Sequence, residues 1–327
     1  MGASGVSVMW TTLVGSFPLS PGRESIERAL EDQAELGITH PVLPQLRDFV
    51  LMYIEPLLRR GVAAAEGPGY VLRGDPASVE PEPPEDLVEA TDIAADMGLR
   101  YRVAFTGPFT IASKLALPRG RPGDLMSSAL SSPEHLEAVA EYVREMAREV
   151  YSSVKGVVYC VDEPILSVVT GSRRMLFNLT ADGVREVLDS VLGQFKAPYR
   201  GVHVCARLPP LLKEVLLNLR NANFLDHEHS DIPENRAYYT REELSRAEKH
   251  LAYGVISSKN PRVEGEEEVA SLARDAYERY GDRLLFLKPD CGFGGLRGYL
   301  SGREYEEIVL KKLAVLVKVA GELPPET

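Results

Sequence analysis

Phosphate-binding glycine fingerprints are missing from this 327-residue chain: no GxGxxG opens a crossover and no GxxxxGK[ST] occurs. That argues against a dinucleotide or P-loop nucleotide enzyme. Cysteine is scarce, with three residues at positions 160, 205 and 291, too few and too scattered for a disulfide framework. A reducing, cytoplasmic setting is expected, with the thiols left for packing or for metal and thiol chemistry. Positive charge is also short, 37 Lys and Arg against 48 Asp and Glu for a net charge of −11. No nucleic-acid partner and no membrane surface is therefore expected, since both need clustered cations. No apolar run reaches membrane-spanning length, and the opening MGASGVSVMW lacks the basic and long apolar regions of a signal peptide. Repeats of 20–50 residues are absent too.

What is present is an alternation of short apolar runs with amphipathic ones. WTTLVGS (10–16), THPVLP (39–44), YRVAFTG (101–107), KGVVYCVDE (155–163), YRGVHVC (199–205), ANFLDHE (222–228), HLAYGVISS (250–258) and RLLFLKPD (283–290) read as strands. Helical patterns follow them, the clearest at 133–154 with Ser132 as N-cap and Pro133 at its first position. A glycine-rich piece at 69–76 reads as an extra hairpin. Eight buried strands, each followed by a helix, predict an α/β fold, a single (β/α)8 TIM barrel over residues 1–327, with 1–8 as a flexible N-terminus. In such a barrel the strand C-termini converge on one face, which is the catalytic one.

Polar residues punctuate those C-termini. His203 and Cys205 in GVHVCAR lie two apart on a strand, so alternation puts both on one face where they can chelate one ion. A core histidine beside a buried cysteine is the plainer reading of that pair alone. Cys291, in KPDCGFGG beside Asp290 and a run of glycines, is not placed for simple packing and adds a third candidate. The segment LDHEHS offers a fourth in His227, Glu228 or His229, and spacing alone does not choose the face that points to the mouth. Cys160, mid-strand, reads as core, and His40, His135 and His250 as surface or capping residues. One imidazole, two thiolates and a carboxylate suit zinc. They more than neutralise the ion, which makes a poor centre for activating water but a good one for an incoming thiol, kept as a thiolate for attack on an electrophilic carbon.

The same segments, in the same order over residues 10 to 297, resemble the catalytic half of the cobalamin-independent methionine synthase family. TTLVGSFP is similar to its TTxxGSFP strand, AFTGPFTI to its LTGPVTI and CVDEPIL to its IDEPAL. HVCAR resembles its HxCY/F segment, KPDCGFGGLR its NPDCGLKTR, and ISSKNPRVE more loosely its DIHSPRxP. The resemblance implies a barrel that transfers a methyl group to homocysteine to form methionine, with one zinc ion on His203, Cys205, Glu228 and Cys291. It further implies that Asp162 holds the homocysteine ammonium and that Gly15 and Ser16 meet its carboxylate. The family's full-length members carry a second, N-terminal barrel, and the resemblance here covers the catalytic one.

The departures fall on the donor side. Lys114 stands where the family has a Trp that packs on folate, and Lys259 where it has the histidine that protonates the departing folate nitrogen. A second-strand glutamate that contacts homocysteine is replaced near Leu43, with Gln45 and Asp48 as the nearest polar substitutes. A methyl-corrinoid donor leaves as reduced cobalt and needs no proton, so methylcobalamin or a corrinoid protein is the expected donor rather than methyl-tetrahydrofolate. Coenzyme M as acceptor is disfavoured because Asp162 would repel its sulfonate, and a closed structural zinc site would have no use for Ser16 or Asp162 at the mouth.

Overall fold

The computed structural model describes residues 9–323, so the expected flexible segment 1–8 lies outside the described residues. Seven parallel strands run side by side in the order first, eighth, seventh, sixth, fifth, fourth, third: Trp10–Thr11, Leu284–Pro289, His250–Ile256, Phe224–His227, Tyr199–Val204, Val158–Asp162 and Arg102–Thr106. The gap between first and third is filled by residues 40–45, which pair with both neighbours. His40 N–H bonds Thr11 O at 3.0 Å and Gln45 N–H bonds Gly15 O at 2.9 Å on one side; Leu43 N–H bonds Arg102 O at 2.9 Å and Arg102 N–H bonds Pro41 O at 2.8 Å on the other. The sheet therefore curls into the barrel that the strand count predicts. The second strand is irregular because Pro41 and Pro44 have no N–H to give.

Helices wrap the outside. Pro133–Ser153 buries Leu136, Val139, Tyr142, Val143, Met146 and Val150 at the 3.6-residue spacing of its apolar face. Ser132 stands at its N-cap, but the hydroxyl bonds His135 Nδ1 at 2.8 Å rather than the helix backbone. The helix after the second strand, Leu51–Arg59, begins where the Asp48 carboxylate turns back to accept the N–H groups of Val50 and Leu51. A hairpin forms earlier than the expected 69–76: Ala63–Glu66 pairs with Gly69–Leu72, so that only its second strand falls in the expected piece, and Leu115–Ala116 adds a third strand. Among the described residues, no helix is long and apolar enough to cross a membrane.

Inside, side chains stack in layers, as the inward-facing positions of alternate strands dictate. The floor is apolar: Val158, Cys160, Phe224, Ala252, Leu285 and Phe286 cluster there against Trp10 and Tyr199. Cys160 is fully buried in this floor. His40 differs from the expected surface or capping role. It is 2% exposed, with its ring 4.7 Å from Trp10 and 5.2 Å from Phe286, because the second strand turns it under the floor. Above lies a belt of buried charge, and above that the mouth.

Candidate active site and metal centre

The fifth and sixth strands explain the choice left open by LDHEHS. Phe224 packs inward beneath Gly201, so period-2 alternation turns Asp226 and Glu228 inward and His227 and His229 outward. His227 bonds Val204 O and Tyr239 Oη, each at 3.2 Å, and burial pulls its pKa down to about 3. His229 stacks on Tyr253 at 3.7 Å and accepts the Gly254 N–H. Neither imidazole points at the mouth.

Three of the four expected ligands converge. His203 Nε2 lies 2.9 Å from Cys205 Sγ and 3.6 Å from Cys291 Sγ, and the two sulfurs are 3.4 Å apart. A tetrahedral zinc with Zn–S about 2.3 Å and Zn–N about 2.0 Å sets its ligand atoms roughly 3.5–3.8 Å apart, so this triangle fits the ion with small adjustments. Glu228 is fully buried beside it but stands outside the triangle: both its oxygens accept from Lys259 Nζ, at 2.9 and 2.8 Å, and Oε2 also accepts the Ala206 N–H at 3.2 Å. Ala206 adopts φ 66°, a left-handed conformation uncommon for a residue with a Cβ, and so aims its N–H at that carboxylate.

Below the triangle, His203 Nδ1 bonds Asp226 Oδ1 at 2.6 Å, which fixes the ring so that Nε2 faces the thiols. Asp226 is in turn paired with Arg102 at 2.7 Å and Lys288 at 2.8 Å, all three with fully buried side chains. Despite burial, Lys288, Arg102 and His203 hold the Asp226 carboxyl well below its usual range. Burial alone would lower His203, but the charge and hydrogen bond of Asp226 outweigh it and hold the imidazole up at about 10. The Asp226 carboxylate on Nδ1 makes Nε2 the more basic ligand for a metal cation. Of the two thiols, Cys291 is held well below the thiol range by the hydrogen bond from Cys205 and then that from His203, against burial, while Cys205 is pushed up.

The substrate-binding residues expected from the sequence line the same mouth. Asp162 ends the fourth strand, 6% exposed, and its Oδ1 has no hydrogen-bond partner among the described residues; burial pushes its pKa up to about 7 against the pull of His203 and Arg102. Ser16 meets the loop that follows Cys291: the Gly294 N–H donates to Ser16 Oγ at 3.2 Å and the Phe293 N–H to Ser16 O at 2.7 Å. A Cβ on Gly292 would overlap that hydroxyl, which is the physical reason for glycine there. Gly15 lies against the side chain of Gln45, 3% exposed, one of the two polar substitutes considered for the second-strand glutamate. Asp48, the other substitute considered, is spent on its helix cap.

Four buried residues of the site were not singled out from the sequence. Arg102, Asp226 and Lys288 form the charged belt, and each is a charge set inside an otherwise apolar strand, a signal that was there to read. Asn235, 1% exposed, donates to Ala206 O at 2.9 Å and Glu228 O at 2.8 Å, and clamps the two loops together. It sits in a connection with no periodic pattern to mark it. Glu163, next to Asp162, accepts the N–H groups of Phe109 and Thr110 and so caps the helix Pro108–Lys114 rather than facing the mouth.

Comparison with known proteins agrees with this architecture. Residues 129–322 match the family model described as cobalamin-independent synthase, catalytic domain. The chain is 25% identical over 314 residues to a methionine synthase of Methanocaldococcus jannaschii, covering 87% of this chain and 92% of that protein. A methionine synthase of Methanothermobacter marburgensis is 24% identical, with 96% of this chain and 100% of that protein covered. The fold resembles that of a B12-independent methionine synthase from Shewanella sp. W3-18-1 solved with selenomethionine, with TM-score 0.70, 16% identity and coverage of 96% of this chain and 98% of that one. A similar likeness, TM-score 0.68 at 14% identity over 97% of this chain and 98% of that one, holds for a putative vitamin-B12 independent methionine synthase of Listeria monocytogenes.

Proposed function

The chain belongs to the cobalamin-independent synthase catalytic-domain family, of methionine synthase type, and from that premise we propose that it is a zinc-dependent methyltransferase that methylates the thiol of homocysteine. The observation that carries the reading is the convergence of His203 Nε2 and the Cys205 and Cys291 sulfurs at one barrel mouth, with Glu228 beside them as the fourth candidate donor. A zinc ion held there would lower the pKa of the substrate thiol and present it as a nucleophile.

The chain's own residues orient that thiol. Asp162 keeps a buried carboxyl oxygen without a donor, and a substrate ammonium would supply one. Ser16 accepts from Gly294, which leaves its own O–H free to donate to the substrate carboxylate, and the Gln45 amide lies alongside. Asp226 holds His203 in place, and the apolar floor keeps water from reaching the site from below. Coenzyme M would bring a sulfonate to the unpaired Asp162 oxygen, which disfavours it as acceptor.

For the donor we favour methylcobalamin or a methylated corrinoid protein. A tetrahydrofolate leaving group must be protonated as it departs, whereas reduced cobalt leaves without a proton. Lys259, in the place of the family's proton donor, is doubly bonded to Glu228, and although burial works the other way, that bond and charge hold its proton more tightly than usual. Lys114, in place of the aromatic residue, is exposed at the end of its helix and offers no stacking face. Methyl-tetrahydrofolate is the competing donor, favoured by the family's cobalamin-independent description. Zinc-loaded protein given homocysteine with each donor should make methionine from methylcobalamin; methionine from methyl-tetrahydrofolate alone would overturn the donor assignment.

A further inference from the structure

We propose that Lys259 is the resting partner of Glu228 and decides whether that carboxylate closes the fourth position of the metal centre or leaves it open for the substrate sulfur. The inference rests on the zinc reading above and adds a residue to it.

Glu228 is buried completely while Lys259 is 60% exposed, so the lysine reaches in from the rim to neutralise a carboxylate that has no other cationic partner among the described residues. Both carboxylate oxygens are engaged, which leaves none turned freely toward the sulfurs. The lysine is held ready by its own loop: Ser257 Oγ accepts the N–H groups of Lys259 and Asn260, at 3.3 and 2.9 Å, and donates to Asp231. The glutamate is held close to the metal position by the N–H of Ala206, the residue after Cys205, and by Asn235 on its own backbone carbonyl. These tethers keep Glu228 next to the triangle whichever cation it faces.

Charge makes the exchange plausible in both directions. With Glu228 on Lys259, a zinc ion would meet one neutral imidazole and two thiolates, a set that balances its charge and leaves one position vacant. An arriving thiolate then fills that position without displacing a carboxylate. With Lys259 removed, Glu228 would be a buried anion with the metal as its sole cation, and it would close the site instead.

The test compares the wild type with Lys259→Met, Glu228→Gln and the double variant, using zinc affinity by competition with a chromophoric chelator and the visible spectrum of the cobalt(II)-substituted protein. Lys259→Met should bind zinc about tenfold more tightly, on the scale of residues that act on metal ligands, and should alter the cobalt spectrum. It should also raise the KM for homocysteine more than it lowers kcat. Glu228→Gln alone should change zinc affinity less than about threefold, and in the double variant the effect of Lys259→Met should vanish. Wild-type zinc binding with unchanged or weaker affinity in Lys259→Met, or a gain that persists without Glu228, would overturn the role of Lys259 while leaving the zinc site standing. Failure of the wild type to bind one zinc would overturn both. Because the double variant removes both charges together, it keeps the comparison decisive even where the single lysine variant is unstable.

Discussion

Asp226 ties together more of the buried charge than any residue at the mouth. It aims His203 and compensates Arg102 and Lys288 at once, in a place no water reaches. Asp226→Asn would leave two buried cations short of an anion, a loss of about 3–5 kcal/mol by the usual cost of breaking a buried pair. It would also release the histidine tautomer. We expect a lowered denaturant midpoint together with a roughly 10–100-fold weaker zinc affinity, measured by chelator competition. A variant that loses stability but keeps its zinc would show that the orientation of His203 does not depend on Asp226. His40 supplies the pH response at the other end of the barrel. Burial, and then Arg100, lower its pKa to about 4, against about 6.5 in the unfolded chain. The unfolded chain takes up that proton first, so this stability is full above about pH 6.5 and is lost as pH falls through about 4, to the extent of roughly 3 kcal/mol. His40→Phe keeps the ring against Trp10 and Phe286 and removes a ring nitrogen, Nε2, that has no partner. Urea melts at pH 7 and pH 4.5 should show a smaller acid loss in the variant.

At the scale of the strand, close approach is set by glycine. A Cβ on Gly201 would drive into the Phe224 ring on the neighbouring strand, and both strands carry candidate metal ligands at their ends. Gly201→Ala should cost about 1–3 kcal/mol through overpacking, seen as a lower Tm. An unchanged Tm would mean that the ring swings aside freely. The strands were legible in the sequence because buried parallel strands are short apolar runs, and those runs stood out at seven of the eight positions as regular pairing. The remaining one, the second strand around Pro41 and Pro44, was legible as a strand but not as an irregular one, since its pairing depends on which carbonyls its neighbours present. Of the site, His203, Cys205 and Cys291 could be read because polar residues at apolar strand ends are few. The Glu228–Lys259 pair could not, because it joins two loops 31 residues apart whose approach only the closed barrel determines. A local signal of another kind, the capping box of Thr240 with Glu243, starts the helix Arg241–Arg246.

Through the described residues the order is vertical: an aromatic floor, a belt of paired charges, and a mouth of candidate ligands and polar groups. A metal at the top would tie together the ends of the fifth and eighth strands, and through Glu228 the sixth. Binding confined to the folded state adds stability, about 4 kcal/mol at a free concentration a thousand times Kd. Stripping zinc with a chelator should therefore lower Tm by on the order of 10 °C. Cys291→Ser should start from the lower value and respond little to the chelator, and an equal drop in both proteins would place the stabilising ion elsewhere. The bond between Ser16 and Gly294 has a consequence for how the chain is born. Its partners are 278 residues apart, so at ribosomal rates of about 5–20 residues per second the serine waits roughly 15–55 seconds for the glycine. The nascent chain exposes His203 and Cys205 well before Cys291 exists. Until the last strand emerges it can offer a passing metal only part of its grip and a substrate only half a pocket.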